Sequence, residues 1–173
     1  YYTSPALTHA VNNGWQTVTV PLASFTPVPN MTTLAQNGRS LGTMKLEVLG
    51  YGAGGVAGIS GTVYLDHFRL RARPPMAAPY QLTHLNWESS TNGATVGQVD
   101  YQGGGATATT PLVTRAQSRQ GYQAVASTVN SGPASGWNKA SYEFWPSWKS
   151  VNPKASTIRY SIRAPQNLVY QVH

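Results

Sequence analysis

Short stretches in which apolar and polar residues alternate recur along the chain, and they predict β-strands. In residues 157–163, for example, Ile158, Tyr160 and Ile162 share one face and polar side chains occupy the other. Clusters of Gly, Pro, Asn and Ser separate these stretches and are typical of turns. The predicted strands cover residues 15–20, 43–49, 63–70, 122–129, 139–145, 157–163 and 168–173.

Helical periodicity is nearly absent from the sequence. No window places apolar residues at i, i+3, i+4 and i+7 over three turns. Many short strands separated by turns predict an all-β fold, an antiparallel β-sandwich or jelly roll. The apolar faces should form its core, including Met44, Leu46 and Val48 in one strand and Tyr142 and Phe144 in another.

Composition narrows the class of protein further. Cysteine is absent, which excludes disulfides, thiolate zinc sites and cysteine nucleophiles. Charged residues make up only 10% of the chain, against about 25% in ordinary soluble domains. Uncharged polar residues take the place of charged ones, as in many secreted β-proteins. No stretch of the sequence approaches the roughly 20 apolar residues of a membrane span. No signal peptide is visible, and a start at Tyr1 indicates a processed chain or an excised fragment.

The net charge is +7, from 12 Lys and Arg against 5 Asp and Glu. These bases are scattered, and no helix-turn-helix or zinc pattern accompanies them, so nucleic acid is not the expected partner. A solvated basic surface is the simpler interpretation. Affinity for an acidic polysaccharide is left open.

Four segments together resemble a known family. Residues 14–22 read Gly-Trp-Gln-Thr-Val-Thr-Val-Pro-Leu, and residues 61–70 read Gly-Thr-Val-Tyr-Leu-Asp-His-Phe-Arg-Leu. Trp87-Glu88 begins a small-residue turn, and residues 121–125 read Gly-Tyr-Gln-Ala-Val. This set resembles the β-jelly-roll carbohydrate-binding modules appended to polysaccharide-degrading enzymes. The resemblance implies a jelly-roll fold and a role in glycan binding.

The family's segments occur here in a rotated order. If residues 76–173 were read first and residues 1–74 second, the segments would follow the family's usual strand order. The Pro-rich joint at residues 72–79 would then connect the family's last strand to its first strand. We therefore predict a single jelly-roll unit over residues 1–173, built from a C-terminal half (1–74) and an N-terminal half (76–173). Three explanations fit this rotated order: a circular permutant, a repeat cut from an array of modules, and a subunit completed by strand exchange.

The resemblance implies a structural calcium ion at Asp66 and Glu88. In such modules an opening-strand Glu and a closing-strand Asp often join backbone carbonyls around Ca²⁺, which prefers hard oxygen ligands. These two residues are among only five acids in the chain. The alternative is that Asp66 caps a turn and Glu88 pairs with an arginine. A bound ion predicts that Ca²⁺ raises the melting temperature and that a chelator lowers it.

Two sets of residues are candidates for contact with glycan. Trp137, Trp145 and Trp148 belong to an aromatic cluster in which an exposed ring would stack on a sugar, although core packing also explains such residues. Arg159 and Arg163 lie on the polar side of their predicted strand. We expect them to line a concave sheet together with Gln171 and His173 of the next strand; a solvated sheet face is the alternative.

Signs of catalysis are weak in the sequence. A glycosidase needs two carboxylates about 5–10 Å apart, and Glu47, Asp100 and Glu143 have no supporting motif. No Gly-x-Ser-x-Gly element is present. The sequence therefore predicts a non-catalytic, extracellular module that binds polysaccharide, with neither nucleic acid nor membrane as partner. The alternative is a structural repeat or filament subunit with the same fold, which self-associates by strand exchange.

Overall fold

The structure of the protein is a computed structural model. It describes residues 2–27, 40–41, 44–50, 54–72, 84–85, 87–134, 138–144, 148–149 and 156–173. Within these ranges it contains sixteen β-strands, one short 3₁₀ helix at Leu22–Ser24 and no α-helix. The strands are β1 (Tyr2–Thr3), β2 (Leu7–Thr8), β3 (Trp15–Pro21), β4 (Thr26–Pro27), β5 (Ser40–Leu41), β6 (Met44–Leu49), β7 (Ser60–Ala72), β8 (His84–Leu85), β9 (Gly97–Gly103), β10 (Thr107–Ala108), β11 (Leu112–Thr114), β12 (Ala124–Asn130), β13 (Lys139–Phe144), β14 (Trp148–Lys149), β15 (Ser156–Arg163) and β16 (Val169–Val172).

Two antiparallel sheets account for most of the strands. A seven-stranded sheet has the order β10-β12-β7-β15-β3, with β11 beside β12 and β8 beside β7. A five-stranded sheet has the order β2-β16-β6-β13-β9. Two further pairs, β1 with β4 and β5 with β14, are two-stranded.

The two sheets pack face to face around one apolar core. Phe68 of β7 meets Phe144 of β13 edge to face, with ring centroids 5.1 Å apart. The hydroxyl of Tyr160 in β15 donates to that of Tyr170 in β16 at 3.4 Å. These contacts join one sheet to the other, so the chain folds as an all-β sandwich, as the sequence predicts.

The alternating patterns identify the core faces correctly. All three apolar residues of β6 and all three of β15 that the pattern assigns to the core are buried, as are Tyr142 and Phe144 of β13. A strand occurs at each of the seven predicted positions. The fourth begins at Ala124 rather than Tyr122, because residues 122 and 123 belong to a turn bound by Glu88.

One expectation about the sheets is wrong. Arg159 and Arg163 lie in β15 of the seven-stranded sheet, whereas Gln171 and His173 extend along β16 in the five-stranded sheet. The chain crosses from one sheet to the other at residues 164–168. The two groups therefore lie on opposite outer faces of the sandwich and do not line one concave surface.

Each sheet combines strands from both sides of the Pro-rich joint. β7 lies between β12 and β15, and β6 lies between β16 and β13. The first residues of the chain run beside the last strand: the Ser4 N–H donates to the Val172 carbonyl at 2.8 Å, and the Val172 N–H donates to Ser4 Oγ at 3.0 Å. The joint beyond Ala72 lies outside the described residues, so the proposed rotation of strand order stays a prediction.

The core contains one buried hydroxyl whose removal should not cost stability. Burial raises the pKa of Tyr142, and its Oη has no hydrogen-bond partner within the described part of the chain. A buried polar group without a partner costs free energy. We therefore expect Tyr142→Phe to leave the free energy of unfolding unchanged or to raise it by about 1–2 kcal/mol in urea titrations.

Tyr160→Phe is the matched control for this substitution. It removes a hydroxyl that bonds to Tyr170, so we expect a loss of about 0.5–1.5 kcal/mol. Equal destabilisation by both substitutions would show that the Tyr142 hydroxyl has a partner, and it would contradict the expectation.

Candidate functional site

The outer face of the seven-stranded sheet carries a concave pocket of ≈ 350 Å³. It lies where β3, β7 and β15 run side by side, and the turn before β12 forms one wall. We call it the basic pocket. Its lining residues are Thr17, His67, Arg69, Arg119, Gln120, Arg159, Tyr160 and Ser161.

A β-bulge in β7 shapes the floor of the basic pocket. Arg69 pairs with Arg159, but the next pairs along place Asp66 opposite Ser161, so β7 contains one extra residue here. Asp66 and His67 both lie between the core residues Leu65 and Phe68. His67 has a φ of 53°, in the left-handed region that few non-glycine residues adopt. The bulge brings His67 and Arg69 to the outer face.

His67 and Arg69 are joined by a hydrogen bond. One terminal nitrogen of the Arg69 guanidinium lies 2.8 Å from His67 Nδ1. A guanidinium only donates hydrogen bonds, so His67 Nδ1 is the acceptor in this contact. The bond restricts the Arg69 side chain at the floor of the pocket.

Asp66 fixes the wall of the pocket that comes from the turn before β12. Its side chain is fully buried. Oδ1 accepts the His67 N–H at 2.6 Å, and Oδ2 accepts the N–H groups of Arg119 and Gln120 at 2.8 and 3.1 Å. Hydrogen bonds from backbone amides to a carboxylate are strong. Asp66 therefore positions two residues of the pocket that are more than fifty positions away in sequence.

Glu88 holds the other end of the same turn. Its carboxylate accepts the N–H of Tyr122 at 3.0 Å and that of Gln123 at 3.2 Å. Between the two anchored segments, Gly121 has a φ of +76°, and a Cβ at this position would overlap the Glu88 carboxylate. The side chain of Tyr122 consequently projects outward and is 81% exposed.

The residues predicted to bind calcium have other partners. Asp66 and Glu88 accept N–H groups from one turn, at residues 119–120 and 122–123. The carbonyls of Trp87, Glu88 and Ser90 converge as calcium ligands would, but Gln123 Nε2 lies among them at 2.9–3.1 Å. No group of three metal-ligating side chains occurs in the described ranges. The donor set therefore does not fit an ion shared by the two carboxylates without rearrangement, and calcium binding stays a prediction.

The other three carboxylates lie on the outer face of the five-stranded sheet. Glu47 interacts with Lys139 at 3.1 Å and His173 at 3.5 Å, and Asp100 binds Lys45 at 2.8 Å. Glu143 accepts a hydrogen bond from the Gln98 amide at 2.6 Å.

The shifts in pKa on this face do not match those of a glycosidase. Burial raises the pKa of Glu47, but hydrogen bonds and charges from His173 and Lys139 outweigh it and leave the pKa lowered. The hydrogen bond from Lys45 likewise lowers the pKa of Asp100. A glycosidase needs a general acid whose pKa is raised. Neither Glu47 nor Asp100 has a raised pKa of this kind.

Among the residues predicted to contact glycan, the arginines are the ones whose side chains the structure describes. Arg159 lines the basic pocket, and Arg163 donates from Nη1 to Gln117 Oε1 beside it. Trp137 and Trp145 lie outside the described residues. Trp148 lies in β14, and its side chain is not among those described. The sequence analysis did not identify Arg69, Arg119 or Tyr122; Tyr122 follows Gly121, a signal for an exposed turn.

No helix in the described part of the chain has the length and apolar character needed to cross a membrane. Comparison with protein-family models, curated proteins and solved structures finds no match to this chain.

Proposed function

We propose that this protein is a non-catalytic, extracellular carbohydrate-binding module of the jelly-roll type, and that it binds polysaccharide in the basic pocket. The observation that carries this proposal is a concave pocket of ≈ 350 Å³ on the outer face of the seven-stranded sheet, lined almost entirely by residues with hydrogen-bonding side chains. Ligand pockets have volumes of about 300–1,000 Å³. The apolar residues of the same strands face the core, so the pocket presents polar groups from strands that the core holds in place.

The chemistry of the pocket suits sugar hydroxyl groups, which both donate and accept hydrogen bonds. Gln120, Thr17 and Ser161 carry side chains that can do both, and the arginines add fixed arrays of donors. Two residues after Gln120, the exposed ring of Tyr122 offers an apolar face with a polar tip. Such a ring stacks on the CH face of a pyranose while the pocket binds its hydroxyls.

A glycan array followed by titration with the best ligand tests the proposal. We expect binding to at least one polysaccharide and a loss of about 10- to 100-fold in affinity for Arg159→Ala, equivalent to about 1.4–3 kcal/mol of lost hydrogen bonding. Arg115→Ala is the matched control, because this exposed arginine follows β11 and does not line the pocket.

Two tyrosines give a second matched pair for the same titration. Tyr122→Ala should weaken binding, whereas Tyr101→Ala, which alters a half-exposed tyrosine on the five-stranded sheet, should not. Absence of binding to every glycan, or wild-type affinity in Arg159→Ala, would refute the assignment of function to this pocket.

The alternative of a subunit completed by strand exchange stays a prediction. It needs a groove that the first residues of a neighbouring chain fill. Here Tyr2–Thr3 pairs with Thr26–Pro27 and Leu7–Thr8 pairs with β16, all within one chain. Elution of the protein as a polymer in size-exclusion chromatography would favour the alternative.

A further inference from the structure

We propose that the basic pocket selects anionic glycans, with a carboxylate or sulfate group of the sugar bound by Arg69, Arg119 and Arg159. This inference rests on the proposed function and names the class of polysaccharide. Three cationic side chains from three separate elements, β7, the turn before β12 and β15, line one small pocket. A neutral sugar would not require this concentration of charge.

The arrangement of Arg69 and Arg159 is the first argument. They are directly opposite each other on neighbouring antiparallel strands. Like charges in this position repel and destabilise a sheet. An anion between the two guanidinium groups converts that repulsion into attraction, so the pair is better suited to a ligand-bound state than to an empty one.

The absence of an internal counterion is the second argument. The chain has only five acidic residues, and within the described structure no salt bridge joins any of them to an arginine of the pocket. The nearest carboxylate in sequence, Asp66, is fully buried and accepts three backbone N–H groups. A ligand that carries a negative charge would therefore supply an ionic partner that the described structure does not show for these arginines.

The hydrogen bonds around the arginines are the third argument. His67 restricts Arg69, and Asp66 holds the backbone of Arg119. The Nε–H of Arg69 is buried and has no acceptor among the described residues. Preorganised guanidinium groups bind carboxylate and sulfate oxygens in pairs, with a geometry that an ammonium group does not reproduce. In the pocket, His67 holds the Arg69 guanidinium in place, and Asp66 fixes the position of the Arg119 backbone.

The size of the pocket indicates a sugar rather than a bare ion. A cavity needs only about 10–15 Å³ on this kind of measure to hold one water molecule, so ≈ 350 Å³ leaves room for a much larger ligand. A lone inorganic anion would fill only part of this space. A sugar ring that carries its charged group toward Arg69 and Arg159 would use the remaining volume and the hydroxyl-binding groups of Gln120 and Thr17.

Calorimetric titration with paired glycans tests the inference. One pair is polygalacturonate and its fully methyl-esterified form; the other is a sulfated galactan and its desulfated form. We expect at least one charged member to bind about tenfold or more tightly than its neutral partner, and we expect added NaCl to reduce that advantage. The pair that shows the preference distinguishes a carboxylate ligand from a sulfate ligand.

Variants locate the effect in the pocket. Arg159→Gln and Arg119→Gln should each remove most of the preference for the charged glycan, while Arg159→Lys, which keeps the charge but not the paired donors, should have an intermediate effect. Arg115→Gln should behave as the wild type. Thermal unfolding curves identify any variant that fails to fold, and such a variant is replaced by the lysine form at the same position.

The outcomes separate this inference from the proposed function. Equal affinity for charged and neutral partners, with a loss in Arg159→Gln, would overturn the anionic preference and leave the proposed function standing. No binding to any glycan would overturn both. A preference for the charged glycan that survives in both glutamine variants would overturn the assignment to this pocket. Free sulfate that competes as strongly as a charged oligosaccharide would show that the pocket binds only the anion and does not recognise the sugar.

Discussion

Replacing Asp66 with alanine is expected to lower the free energy of unfolding by about 3 kcal/mol or more and to abolish binding at the basic pocket. The carboxylate accepts N–H groups from His67, Arg119 and Gln120. Without it, three partly buried backbone donors lose their acceptor at once, and a donor left unpaired in a fully buried site costs about 1–3 kcal/mol. The turn that places Arg119 at the pocket also loses its attachment to β7.

Urea unfolding and glycan titration at a temperature where the variant is folded give the two measurements. Asp100→Ala is the control. This partly exposed carboxylate pairs with Lys45 and accepts the Ser141 hydroxyl, and the loss of both contacts should cost about 1–2 kcal/mol, less than the loss expected for Asp66. Equal stability of the two variants would contradict the role given to Asp66.

The same unfolding experiment, repeated with Ca²⁺ and with a chelator, addresses the predicted metal site. A bound ion that stabilises the native state must raise the apparent stability of the wild type, and the Asp66 variant should not respond. A wild type that is insensitive to both reagents would contradict a stabilising calcium ion at Asp66 and Glu88.

Replacing Gly50 with alanine is expected to have the second large effect, a loss of about 3 kcal/mol or more in the free energy of unfolding. Gly50 follows β6, and its N–H donates to the Asn138 carbonyl at 2.7 Å. A Cβ at this position would overlap the backbone carbonyl of Ser131. Because backbone atoms of two segments meet here, no side-chain rotation relieves the clash.

Gly54→Ala separates this clash from the general cost of replacing glycine. Gly54 has a φ of +83° and no neighbouring atom within 4 Å of an added Cβ, so only conformational strain of about 1–2 kcal/mol is expected. Chemical denaturation of the two variants gives the comparison. A Gly50 variant no less stable than the Gly54 variant would show that the two segments separate easily.

The sequence predicted the sandwich well because its strongest strands alternate without interruption. β6 and β15 each present buried residues on one side, which is the pattern that a half-buried strand requires. The sequence did not predict β9 because most of its residues are exposed, and a mostly exposed strand shows no alternation of apolar and polar residues. The short edge strands carry too few residues to show any period.

The basic pocket was only partly predictable, for a reason that lies in β7. A strict two-residue period from Val63 would bring His67 and Arg69 into the core. The bulge at Asp66 and His67 shifts the period, so Phe68 and Leu70 are buried instead and Arg69 faces outward. Arg119 reaches the pocket through a hydrogen bond to a residue 53 positions earlier, and no local pattern encodes such a contact.

The hydrogen bonds between the first residues and β16 also determine how the fold responds to mechanical tension. The two segments are antiparallel, and Thr3 Oγ1 lies 3.3 Å from His173 Nδ1 where the chain ends meet. Hydrogen bonds between antiparallel strands lie across the strands. A force that pulls the ends apart therefore breaks the bonds one after another from Ser4 toward His9, rather than shearing them together. Resistance to stretching along the chain should consequently be low at this edge, even though β16 remains bound to β6 on its other side.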